Sequence, residues 1–173
     1  MIPDIVVMGK PIANGYPMGA VVCRREIAKA FDNGMEFFST FGGSSVACAV
    51  GREVLSIVED EELMSRAKDV GGYLKNGLVD LAARHPLIGD VRGHGLFLGV
   101  EFVDDRDTRQ PATAQTGLLV ERLRAARILV GTEGHDNNIL KIRPPLTFDR
   151  VAADRLVAAL DQALGERAAQ PRG

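Results

Sequence analysis

Between Glu61 and Arg84, apolar residues recur at Leu63, Ala67, Val70, Leu74, Leu78 and Leu81, and Pro86 closes the run. Steps of three and four place these side chains on one stripe of a single long helix. Proline stops such a helix because it lacks an N–H and its ring blocks the preceding turn. A helix with one apolar stripe has to bury it against another layer. The residues that follow supply that layer. "LIGDVR", the glycine turn "GHG" and "LFLGVEFV" read as two strands and a tight connection. "TAQTGLLVERLRAARI" is an amphipathic helix, "ILVG" a short strand, and "NILKIRP" a strand stopped by Pro144-Pro145. "FDRVAADRLVAALDQAL" is a last amphipathic helix. Helix, two strands, helix, two strands, helix predicts a compact α+β layer over residues 59–165, helices on one face of a small, mainly antiparallel sheet. Residues 166–173 are polar and expected to fray.

Residues 1–58 have another character. Asp4 to Met8 reads as a strand apolar on both faces, a pattern of parallel-sheet interiors. It ends at Gly9-Lys10 and enters "PIANGYP", where Asn-Gly signals a turn. "MGAVVCR" is a second apolar strand and "REIAKAFDNG" a short helix. After the aromatic loop "MEFFSTFGGSS", Ser44 or Ser45 can cap a helix running to about Val58, with Val46, Val50, Val54 and Ile57 on one face. Its small-residue opening "VACAVG" calls for a closely packed neighbour. Two strands and these helices make no complete core, so the chain reads as starting within a larger unit.

The bulk numbers exclude several classes. A chain of 173 residues, 46% hydrophobic, can hold a real core. A formal net charge of −2 gives no electrostatic case for nucleic acid or an anionic membrane. No apolar run approaches spanning length, and no signal-peptide layout opens the chain. Cys23 and Cys48 have no metal-like spacing and sit in apolar stretches, so they read as reduced core residues of a cytoplasmic protein. No metal site is expected.

Two stretches can carry chemistry. Lys10 ends an apolar strand, where burying an ammonium is costly; a neutral amine is what attacks an aldehyde to form a Schiff base. The same position also suits a lysine snorkelling to solvent. In "FSTFGGSS", Thr40, the glycine pair and a capped helix start make an anion cradle, or simply a glycine turn with an N-cap. Locally, both readings stand.

Taken together, "PDIVVMGKPIANGYPMGAVV", "FFSTFGGSSVACAVGREVLSIVE", "IGDVRGHGLFLGVEFV" and "ILKIRPPLTF" resemble, in order and spacing, the rear portion of class III aminotransferases. These are pyridoxal 5'-phosphate (PLP) enzymes of fold type I. The resemblance runs from Pro3 to about Leu164. It implies an α/β fold: the tail of the large PLP-binding domain over 1–58, then the small C-terminal α+β domain over 59–165. Lys10 matches the lysine that holds the cofactor as a Schiff base and moves the substrate proton. Thr40 matches the threonine that reaches the cofactor phosphate of the partner subunit in a homodimer. A small-molecule amine is the implied substrate class.

Three departures bear on function. The family's front half brings an aspartate for the pyridine nitrogen, a ring-stacking aromatic and a Gly-Ser phosphate loop, none of which these residues replace. Ser44-Ser45 stands where the family usually shows Asn-Pro, a less preset helix start. Lys141 stands where the α-amino-acid transaminases commonly place an arginine, whose two-point fork on a carboxylate lysine cannot reproduce. With "GTEGHDNNILKIRPPLTF", Lys141 resembles the subgroup near alanine–glyoxylate aminotransferase 2-like proteins, which includes phospho-lyases acting on phosphoamines such as ethanolamine phosphate. Lys141 is therefore the candidate substrate-binding residue, with a sheet-edge charge as the other reading. His85, His94 and His135 do not cluster, and Arg92 is read as structural. The rival to an enzyme is an inactive remnant acting only as a folding or oligomerisation module.

Overall fold

The structure, a computed structural model, describes residues 2–166; the frayed end expected beyond Glu166 lies outside them. The chain folds as two compact units, Met1–Glu62 and Leu63–Gly173.

In the first unit, β1 (Ile5–Met8) pairs antiparallel with β2 (Ala20–Cys23), Ile5 opposite Cys23 and Met8 opposite Ala20. The parallel-sheet reading of β1 is thus corrected. The link from Gly9 to Gly19 is a compact turn, too short for the helical crossover that parallel neighbours need. Both faces of the pair carry exposed apolar side chains, Val7 opposite Val21 on one and Val6 opposite Val22 on the other, with Val7 at 75% and Val22 at 56%. The link contains a 3-10 turn, Lys10–Ala13, closed by Asn14 and Gly15 at positive φ, as the Asn-Gly signal predicts. α1 (Arg25–Phe31) follows, tied to the start of β1 where Arg24 donates to Asp4 Oδ1 at 2.9 Å. α2 (Ser45–Asp60) starts at its expected cap: the Ser44 Oγ accepts from the Ala47 N–H at 3.5 Å. The small residues of α2 have their neighbour. Ala47 and Gly51 are buried, and a Cβ at Gly51 would stand 2.6 Å from the Met18 sulfur. Val46 and Ile57, by contrast, are exposed. The cysteine reading is also corrected: Cys23 is only half-buried and Cys48 is exposed, because both lie on surfaces this unit leaves uncovered.

The second unit matches the predicted alternation. α3 (Leu63–Arg84) leads into β3 (Ile88–His94) and β4 (Phe97–Phe102). α4 (Thr113–Ala125), β5 (Gly131–Glu133), β6 (Ile139–Ile142) and α5 (Arg150–Gly165) complete it. The sheet order is β3-β4-β6-β5, with every neighbouring pair antiparallel. The stripe of α3 is the core's spine: Leu74, Leu78 and Leu81 are fully buried with Val100, Phe102, Leu119, Leu140 and Leu160. Burying one such leucine contributes on the order of 1.5–3 kcal/mol. The core is on the helical side, since Leu98, Val100 and Phe102 alternate with the more exposed Phe97, Gly99 and Glu101. β5 begins three residues later than "ILVG" suggests. Its partner β6 ends at Ile142, and Pro144 and Pro145 beyond have no N–H to pair with residues 128–130.

Candidate functional site

Lys10 occupies a backbone conformation that its residue type seldom adopts. Gly9 is extended, with φ −145° and ψ −170°, and Lys10 then turns left-handed at φ 49°. Pro11 disfavours the right-handed helical region for the residue before it, and the turn at once folds back: Asn14 N–H bonds to the Pro11 carbonyl at 3.0 Å and Tyr16 N–H to the Ala13 carbonyl at 3.0 Å. Ala13, 2% exposed, anchors the turn while Lys10 stands exposed at its head. A side chain with a Cβ held left-handed costs of the order of 1–3 kcal/mol and concentrates at functional sites.

Thr40 is exposed in the loop before α2. That loop is ordered by small groups: Ser39 Oγ accepts from the Gly42 N–H at 3.0 Å, and Gly43 takes φ 70°. It delivers the chain to Ser44 and the first turn of α2, where backbone N–H groups and the helix dipole favour an anion. An amine, a hydroxyl and a helix start are each the kind of group that could hold an aldehyde-bearing phosphate ester such as PLP. Lys10 and Thr40 belong to the first unit, Lys141 to the second.

Lys141 lies on the open face of the sheet, between the core residues Leu140 and Ile142 of β6. Its cross-strand neighbours on both sides are glycines, Gly99 on β4 and Gly131 on β5. The side chain is 23% exposed and its ammonium rests on the Glu133 carboxylate of β5. Two strands away, Arg92 donates to Asp90 at 2.7 Å and to Glu101; these carboxylates raise its pKa further. Arg92 is thereby engaged within the sheet, in keeping with its structural reading. Arg143 lies over the Phe97 ring, 5.9 Å from its centroid. A cavity of about 300 Å³ on this face is lined by Arg92, Phe97, Gly99, Glu133, Ile139 and Lys141.

Sequence reading missed Glu133. The available signal was strand alternation: once residues 134–138 turn, positions 131 and 133 share a face with 139 and 141. His85 Nε2 is 2.6 Å from Asp161 Oδ1, and Arg84 donates to the same carboxylate at 2.8 Å. First the His85 hydrogen bond and then that of Arg84 hold the Asp161 carboxyl below the usual range. His94 is exposed at the end of β3, and His135 is exposed in the turn between β5 and β6. Among the described residues, no helix is long and apolar enough to cross a membrane.

The family model described as aminotransferase class-III matches residues 1–164. The chain belongs to that family. This class-III aminotransferase chain is 45% identical over 166 residues to the alanine–glyoxylate aminotransferase 2 homolog 2, mitochondrial, of Arabidopsis thaliana, covering 96% of this chain and 35% of that protein. It is 44% identical over 164 residues to the ethanolamine-phosphate phospho-lyase homolog 1 of Caenorhabditis elegans, again 35% of the relative's length against 94% of its own. Among solved structures, a phospholyase from Arthrobacter in complex with phosphoethanolamine superposes with a TM-score of 0.90 at 40% identity, over 95% of this chain and 39% of that one. The fold is that of the C-terminal part of the fold type I PLP-dependent transferases. The chain thus spans about a third of the length of the curated relatives it matches.

Proposed function

We propose that this chain is the rear part of a PLP-dependent class III enzyme that acts on a small amine carrying an anionic group. The reactions are amino-group transfer and, in the reading that Lys141 favours, elimination of phosphate from a phosphoamine. The observation that carries the proposal is the left-handed Lys10 at the exposed head of a tight turn. Nothing in the packing of that turn calls for a lysine, whereas an amine anchored on a rigid backbone is what covalent cofactor attachment needs.

When bound, PLP supplies the electron sink for carbanion chemistry. The chain's own residues would do the rest. Lys10 is the covalent anchor and, once released, the base that carries the substrate proton on its Nζ. Thr40 donates its hydroxyl to the cofactor phosphate of a partner subunit, which makes the working assembly a homodimer. Lys141 takes the anionic end of the substrate. As a compact point charge, it suits a phosphate better than the planar fork that arginine offers a carboxylate. The names of the phospho-lyase relatives support that choice. We place the protein in the cytoplasm, where its free cysteines stay reduced.

The test is borohydride reduction in the presence of PLP followed by peptide mapping. The chain is taken alone and together with a polypeptide covering the part of the family that it does not span. With the complement, the pyridoxyl group is expected on Lys10 and absent after Lys10→Ala. Labelling spread over Lys29, Lys68 and Lys75, unchanged by Lys10→Ala, would remove the assignment.

A further inference from the structure

We propose that the glycines beside Lys141 form a head-group slot, and that Gly131 is the residue that sets its size in favour of a tetrahedral phosphate. The inference rests on the reading of Lys141 as the anion-binding residue and adds a determinant of specificity to it. Gly131 lies directly opposite Lys141 in the β5–β6 ladder and Gly99 directly opposite on the β4 side. Side chains so paired stand about 5 Å apart at their Cβ atoms, so a branched side chain at position 131 would reach toward the lysine.

Packing does not explain the glycine at 131. A Cβ there meets nothing within 4 Å, and its φ is not in the left-handed region. At Gly99 a Cβ would press on Ile139 Cγ2 at 3.2 Å, so that glycine has a packing reason of its own. A strand position without a Cβ is a local cost to stability, since strands favour branched side chains. Gly131 accepts that cost and leaves open space opposite Lys141 on the strand. The space already admits an anionic group, because the Glu133 carboxylate rests on Lys141. Glu133 is half-exposed at the end of the edge strand β5 and can turn outward to yield the place.

The experiment titrates the full 173-residue chain with methyl phosphate and with acetate, following the amide shifts of Gly99, Gly131 and Lys141 by NMR. Glu133→Gln provides the background that frees the lysine. In that background Gly131→Val is expected to weaken methyl phosphate roughly tenfold while acetate changes less than twofold, the size of a steric discrimination by one or two methyl groups. Gly131→Ala should shift both ligands in the same sense but by less. Open space around position 131 means that neither variant should disturb the fold, and an unchanged amide spectrum elsewhere checks this. Equal effects on the two ligands, or none, while Lys141→Met abolishes methyl phosphate binding, would overturn the slot alone. Methyl phosphate binding untouched by Lys141→Met, or no saturable shift in the Glu133→Gln chain, would overturn the anion role of Lys141 and the slot with it.

Discussion

Gly71 on α3 and Gly95 in the β3–β4 turn touch backbone to backbone: a Cβ added to Gly71 would overlap the Gly95 carbonyl. Gly95 itself takes φ 54°. Two glycines therefore let the hairpin close onto the helix, and that contact fixes how the sheet sits on the α3 stripe.

The neighbouring glycines of α3 should consequently answer to alanine with opposite signs. Gly71→Ala forces helix and turn apart and is expected to destabilise the second unit by about 2 kcal/mol or more. Gly72 is exposed, and a Cβ there meets nothing within 4 Å. Gly72→Ala should stabilise by up to about 1 kcal/mol through helix propensity. Urea denaturation followed by far-ultraviolet circular dichroism compares the two, and equal effects would contradict the packing described.

Arg106 should matter more than an exposed surface arginine normally does. Its Nε donates to the carbonyls of Pro86 and Ile88, both at 3.1 Å, and its Nη2 to those of His85, at 3.0 Å, and Ala82. It thereby closes the carbonyl end of α3 and the entry to β3. Arg106→Ala is expected to cost about 1–2 kcal/mol. Arg106→Lys should recover only part of that, because one ammonium cannot span four acceptors.

Asp161 gives the stability of this unit an acid limb. Its folded pKa lies below the ordinary value, chiefly through the His85 hydrogen bond and then that of Arg84. Near that value the unfolded chain therefore binds more protons than the folded one. The contribution is present above the unfolded pKa of about 3.9 and is lost as pH falls through the lower folded value. Asp161→Asn should show a smaller drop in urea midpoint than the natural chain between about pH 6 and pH 3. Parallel drops would mean that the cluster carries no folding-linked proton.

Hydrogen exchange should separate the two units. Val100 and Leu140 sit in a fully buried core, whereas Val7 and Val21 pair in a two-stranded ribbon exposed on both faces. The second pair of amides is expected to exchange orders of magnitude faster in the chain by itself. A partner that covers the exposed Phe37, Phe38 and Phe41 side chains and the ribbon faces should slow it. Equal protection of Val7 and Val100 in the uncomplexed chain would contradict this account.

Much of this protein was legible in its sequence. The period of Leu63 to Leu81, the stop at Pro86 and the strand pairs after it announced the second unit, because burial of an apolar stripe is written locally at helical and strand spacing. The Asn14-Gly15 turn and the Ser44 cap were visible for the same reason, since each depends on the chemistry of one or two residues. The approach to Lys10 was legible as a strand ending at a glycine, but not the left-handed φ of the lysine itself, which the tight turn through Pro11 and Ala13 imposes. Nor could sequence pair β1 with β2, bring Gly71 against Gly95, or set Gly99, Glu133 and Gly131 around Lys141. Those relations depend on strand register and on the seating of sheet on helix. A slip of one residue turns every side chain of a strand to the opposite face, so only the folded chain decides which charges and which gaps share a surface.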